Sequence, residues 1–150
     1  MKAISLWEPW ATAIALGLKL IETRGWYTSY RGPIAIHAAK THDHANFIFD
    51  PSVKALFERE GIMRVEDLSF GCIVAVGKIV ACTPTEQLCP GLIERAFGNY
   101  DNGRFGWALA DVRRLEKPVP ARGSQGFWEW DGGSGERIPQ TGELPGFSTH

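Results

Sequence analysis

Between residues 17 and 26 the chain reads GLKLIETRGW, which sets Lys19, Glu22 and Arg24 among aliphatic neighbours. On an extended segment Glu22 and Arg24 share one face, and Lys19, at the turn before it, can swing toward them. A carboxylate between two cations stays ionised and leaves positive potential over, which suits a phosphate or a base carbonyl. The same groups are equipped for hydrolysis, with Glu22 as general base to a water and Lys19 stabilising the developing oxyanion. The competing reading is an ion-pair cluster that ties a helix to a sheet and touches no ligand, although burying such a network stabilises little.

Other residue types point toward the same chemistry. Trp7, Trp10, Trp26, Trp107, Trp128 and Trp130 are many for 150 residues, and aromatic faces stack unpaired bases at about 1–3 kcal/mol each. Trp7 or Trp10, flanking Pro9 at a helix start, is the expected stacking surface, while Trp26, Trp107 and Trp128 are expected in packing. His37, on a strand whose neighbours are small, is either a proton donor or acceptor in a cleft or a packed strand histidine. Gln125, in SQGFW, is placed to read a base edge or to cap a turn. His42, Asp43 and His44 have loose spacing and lack a second carboxylate cluster, so neither a metal site nor a cofactor is expected. The basic residues Arg31, Lys40, Arg113, Arg114 and Arg122 are interleaved with acids and trace no stripe along the sequence.

The elements that hold these residues follow from pattern. Residues 2–7 alternate as a short strand, and WEPWATAIALG reads as a helix with Pro9 at its first position and Gly17 at its left-handed end. A strand, a bend and a second extended piece follow over 18–30. GPIAIHAAK is a further strand that puts Ile34, Ile36 and Ala38 on one face and Ala35, His37 and Ala39 on the other. Residues 41–60 carry the spacing of two short helices, and short helices are expected again between 84 and 103. The runs 70–83 and 104–121 are long strands, with Gly71 and Gly77 as bend or bulge points. After 122 only GFWEW looks able to pack, and 132–150 reads as a loose tail or a clasp. The βαβ alternation of a parallel sheet is absent, so the fold class is α+β: a small mixed β-barrel of five to six strands with rim helices.

With 150 residues, 44% apolar, 22% charged and a net charge of -1, the chain reads as one complete domain with no appended catalytic partner. Bulk charge neither demands nor excludes nucleic acid. Cys72, Cys82 and Cys89 are odd in number and lack C-x-x-C spacing, which points to buried reduced thiols and a cytoplasmic setting. Glu8 and Pro9 interrupt the apolar N-terminus, so it does not read as a signal peptide, and no stretch is long enough to span a membrane. Oligomeric state is not legible.

Gly17, Lys19, Glu22 and Arg24 spell G-x-K-x-x-E-x-R, and this resembles the signature of the ASCH domain, a member of the PUA-like barrel superfamily. SLWEPWA (5–11), YRGPIAIHAAK (30–40) and RGSQGFW (122–128) are similar to stretches of its longer bacterial members. The resemblance implies a β-barrel with a cleft between barrel and first helix, and a ligand that is RNA, a nucleotide or a nucleoside. Within the family some proteins resemble RNA-binding modules, one group is associated with ribonuclease activity, and a short bacterial group hydrolyses acetylcytidine. That short group uses a threonine three residues after the motif lysine as nucleophile. Glu22 stands there in this chain, and an already ionised carboxylate cannot replace that threonine. The expected function is therefore an RNA- or nucleotide-binding ASCH domain, with hydrolysis of RNA as an added activity. The alternatives are an amidohydrolase acting on an acylated nucleoside and a non-catalytic interaction module. The site residues are Lys19 and Glu22 for catalysis, with Arg24, Trp7, Trp10, His37 and Gln125 binding substrate.

Overall fold

The computed structural model describes residues 1–132. The expected tail over 132–150 lies, apart from Gly132, outside the described residues. Six strands form one mixed sheet: β1 (Lys2–Leu6), β2 (Ile21–Arg24), β3 (Gly32–Ala38), β4 (Cys72–Pro84), β5 (Phe105–Pro120) and β6 (Trp128–Glu129). Their order is β2-β5-β4-β3-β1-β6. β1 and β3 run parallel and set Ser5 opposite His37, while the other paired strands are antiparallel. The α-helices are α1 (Trp10–Ala15), α2 (Lys54–Arg59) and α3 (Leu92–Phe97), with 3₁₀ turns at Ala45–Phe49, Val65–Asp67 and Thr85–Gln87. The α+β class and the long strands expected from the sequence are present.

One core packs α1 against the inner sheet through Ile4, Ile14, Ile34, Ile36, Ile79 and Trp107, all essentially fully buried. A second gathers Ile48, Val53, Phe57 and Phe97 from the helical insertions around Ala13. A third, with Ala3, Ala35, Ile73, Val76 and Trp130, covers the sheet's other face. Gly77 sits at a shift of register between β4 and β5, as its place in the strand predicts.

Two devices aim α1 at the following strand. At its end Gly17 takes φ +77°; its N–H donates to the Ile14 carbonyl, and the Leu18 N–H donates to the Ala13 carbonyl. This is a Schellman close, which reverses the chain immediately before Lys19. At its start Pro9 offers no side-chain cap, and the carboxylate of buried Glu8 takes over. Oε1 accepts from the Thr12 N–H at 2.8 Å and Oε2 from the Thr12 hydroxyl at 2.5 Å.

Burial pushes the Glu8 carboxyl up to about 7, against the lowering effect of its hydrogen bonds. The folded value lies above the unfolded one, so this group's contribution to stability is full below about pH 4.5 and is lost as pH rises through about 7. Denaturant titrations of wild type and Glu8→Gln from about pH 4.5 to 8 are expected to differ by a pH-dependent term reaching about 3 kcal/mol. A pH-independent difference contradicts the assignment.

Two expectations fail locally. The extended piece over 26–30 forms no strand: β2 ends at Arg24 and the chain turns away at Gly25, so Trp26 is 39% exposed instead of buried in packing. Cys89 is exposed, although all three cysteines are free.

Candidate functional site

The start of α1, Lys19 beyond its far end, the C-terminal ends of β1 and β3, strand β2, the end of α3 and the segment 120–126 surround an open cavity of about 1560 Å³. Lys19, Glu22, Arg24, Trp7, Trp10, His37 and Gln125 all line it. So do Lys40 and Arg122, which makes four cations against one carboxylate.

The three charged groups form its floor. Glu22 Oε2 accepts from Arg24 Nε at 2.8 Å, and Glu22 Oε1 lies 3.4 Å from Lys19 Nζ. Lys19 is only 1% exposed. Its ammonium also donates to the carbonyls of Ile21, at 2.6 Å, and Phe97, at 3.2 Å. Three acceptors match the three N–H bonds of an ammonium, so none is left over for a ligand. Arg24 gives Nη2 to the Ser5 carbonyl at 2.9 Å, which leaves Nη1, on the other edge of the guanidinium, without a partner among the described residues. The floor thus offers a fixed donor on Arg24, held by a carboxylate whose two oxygens both face cations. Thr23 lies on the opposite face of the strand and accepts from the Asn99 N–H through Oγ1.

His37 is buried and satisfied on both nitrogens. Nε2 lies 2.8 Å from the Ala121 carbonyl, so Nε2 carries the proton, and Nδ1 accepts from the Ser5 hydroxyl at 3.0 Å. Ser5 Oγ in turn accepts from Trp128 Nε1 at 3.1 Å. Burial lowers the imidazole pKa, partly offset by the bond to Ala121. His37 is therefore a strut between β3 and the segment after β5, although it lines the cavity wall. Gly123 rests on this strut: a Cβ there would come within 2.5 Å of Ser5 Oγ and His37 Cε1.

Of the two tryptophans offered as the stacking surface, Trp7 is the more open. That residue is 54% exposed, and its ring stacks on His44 at 3.9 Å. Trp10 is more enclosed, stacked on Phe47 at 5.1 Å. Trp107 is fully buried, while Trp26 meets it edge-on at 4.7 Å and also lines the cavity. His42 stacks on Phe70. Among the described residues no group of three His, Cys, Asp or Glu side chains is placed to hold a metal ion.

The sequence reading misses Ser5 and Gly123. Ser5 gives no signal, because its role depends on a partner 32 residues away. Gly123 gives a faint one, as a glycine between two polar residues in a segment otherwise read as a turn. The other cations separate by position. Arg31 bonds the carbonyls of Thr28 and Tyr30, Arg113 is buried, and Arg114 lines a different hollow.

The ASCH domain family model matches residues 4–119. Activating signal cointegrator 1 of Mus musculus is 22% identical over 137 residues, covering 85% of this chain and 22% of that protein, and the Homo sapiens protein of that name gives the same figures. The chain thus spans about a fifth of the length of these relatives. Two solved structures are similar, both of ZmASCH mutant proteins from Zymomonas mobilis, one a tyrosine-to-phenylalanine and the other a serine-to-alanine substitution. The first has a TM-score of 0.45 and 16% identity, covering 79% of this chain and 74% of that one. The second has a TM-score of 0.42 and 17% identity, covering 79% and 72%. No described helix is long and apolar enough to cross a membrane. With the signature residues gathered on one cavity floor and the family match running through most of the chain, this protein belongs to the ASCH domain family, which is associated with RNA.

Proposed function

We propose that the protein binds single-stranded RNA in this cleft, without chemistry of its own, in a reducing cytoplasmic setting. The observation that carries the reading is the cavity itself. At about 1560 Å³ it exceeds the roughly 300–1,000 Å³ typical of small-molecule pockets. It combines a half-exposed tryptophan, a fixed donor on its floor and an excess of cations. Stacking platforms within a positive groove suit unpaired bases and their backbone. Hydrolysis is less well served: the Lys19 ammonium is occupied by three acceptors, and both Glu22 oxygens already face cations. A nucleoside alone would leave most of the space unfilled.

The test is fluorescence anisotropy with a labelled single strand of roughly 12 nucleotides and a duplex of the same length. The single strand is expected to bind more tightly, with affinity falling as salt rises. Trp7→Ala is expected to weaken it by roughly 5- to 150-fold with little change in melting temperature, because the ring is half exposed. Equal affinity for duplex, or an unaffected Trp7→Ala, contradicts the proposal. Turnover of RNA or acetylcytidine in the same samples would favour a hydrolase instead.

A further inference from the structure

Among the cations around the cleft, Lys40 and Arg122 differ from Lys19 and Arg24. Lys19 and Arg24 are held by Glu22, whereas Lys40 and Arg122 are exposed and make no hydrogen bond or ion pair with any described residue. They come from distant parts of the sequence, yet one residue brings them together. The Gly71 N–H donates to the Ala38 carbonyl at 2.8 Å, and the Gly71 carbonyl accepts from the Ala121 N–H at 3.1 Å. Gly71, at φ +68°, thus stitches the segment carrying Lys40 to the segment carrying Arg122. The aliphatic stem of Lys40 lies across it, with Cγ 3.0 Å from where a Cβ would stand. Both cations therefore flank Gly71 on the same cavity wall, and Gly123, Ser124 and Gln125 continue that wall.

We infer that Lys40 and Arg122 form a phosphate subsite for an internal phosphodiester of the bound strand. The inference rests on the single-strand reading above and deepens it. Two unpaired cations at the rim of a cavity, apart from a floor whose two cations are already held by Glu22, divide the labour of recognition. The rim takes the backbone, and Arg24 meets a base edge. An ammonium supplies a point charge and a guanidinium a planar fork, and neither gives up an existing partner to bind an oxyanion. The size of the open cavity favours an internal linkage over a terminal phosphate, since there is room for more than one nucleotide around the subsite.

The experiment measures affinity for a single-stranded oligoribonucleotide, with and without a 5′-phosphate, across a salt series. Wild type is compared with Lys40→Gln, Arg122→Gln and, as a cationic control outside the cleft, Arg114→Gln. Each cleft variant is expected to weaken binding by roughly tenfold. Each should also reduce the slope of log affinity against log salt by about 0.7–1, whether or not the 5′-phosphate is present, while Arg114→Gln leaves the slope unchanged. Wild-type slopes in both cleft variants overturn the subsite while leaving single-strand binding in place. A slope change seen only with the 5′-phosphorylated strand overturns the internal linkage. If wild type binds no single strand at any salt, the parent reading falls and this one with it.

Discussion

Lys19→Ala is expected to destabilise the protein by about 3–5 kcal/mol, the cost of removing one member of a buried charge pair. In a domain of this size that corresponds to a fall of about 6–20 °C in melting temperature. The large effect follows from what is left behind. The substitution strips two carbonyls, of Ile21 and Phe97, of their donor, and it removes one of the two cations that face Glu22 in a nearly sealed position. A group that merely stabilised a reaction intermediate would be removable at little structural cost. Calorimetry of Lys19→Ala beside Lys19→Met/Glu22→Gln checks this, since removing both charges should recover part of the loss. A Lys19→Ala variant as stable as wild type would show that the ammonium is not the anchor described here.

Gly123→Val is expected to damage fold and cleft together, for a steric reason. The Gly123 backbone lies so close to the Ser5–His37 pair that a Cβ would come within 2.5 Å of Ser5 Oγ and 2.6 Å of His37 Nδ1. Neither neighbour can retreat. His37 is wedged in β3 with both nitrogens committed, and Ser5 lies on β1 between two paired strands. The segment 121–126 must lift instead, which breaks the bond from His37 to Ala121. Overpacking of this kind costs about 1–3 kcal/mol. Nitrogen-detected NMR of the imidazole is expected to show the Nε2-protonated form in wild type and a mixture in the variant. Ser124→Ala, in the same segment but exposed, should leave both spectrum and stability unchanged. An undisturbed imidazole in Gly123→Val would mean that the segment is not seated on it.

Once the imidazole loses its partner, its titration should also move. In the native state burial lowers its pKa from 6.5, so its contribution to stability is present above about pH 6.5 and is lost as pH falls. Glu8 acts in the opposite sense over an overlapping range. The difference between wild type and each single variant is therefore more informative than either pH profile alone.

Much of the floor was legible because it is local. Lys19, Glu22 and Arg24 lie within six residues, and a helix stop at Gly17 followed by a short strand is enough to bring them together. Trp7 and Trp10 were legible only as a pair flanking the helix start, and spacing did not say which ring stays open; in the structure it is Trp7. What spacing alone left open was whether three charges face water or lock onto one another, and in the structure they lock: Lys19 and Glu22 are buried, and Arg24 alone stays partly open on the cavity floor. The rest depended on topology. Ser5 meets His37 because β1 and β3 run parallel, and Lys40 meets Arg122 only through Gly71. Trp26 departs from its expected packing because residues 18–30 announce a bend but not that it falls at Gly25 and leaves the ring 39% exposed.

The consequence of the Lys19 anchorage reaches beyond stability. A guanidinium and a carboxylate whose rotamers are frozen before any ligand arrives need not be ordered on arrival, so the entropic toll of association falls on the guest alone. Calorimetric binding profiles should then depend on the stiffness of the incoming strand far more than on any adjustment of the host.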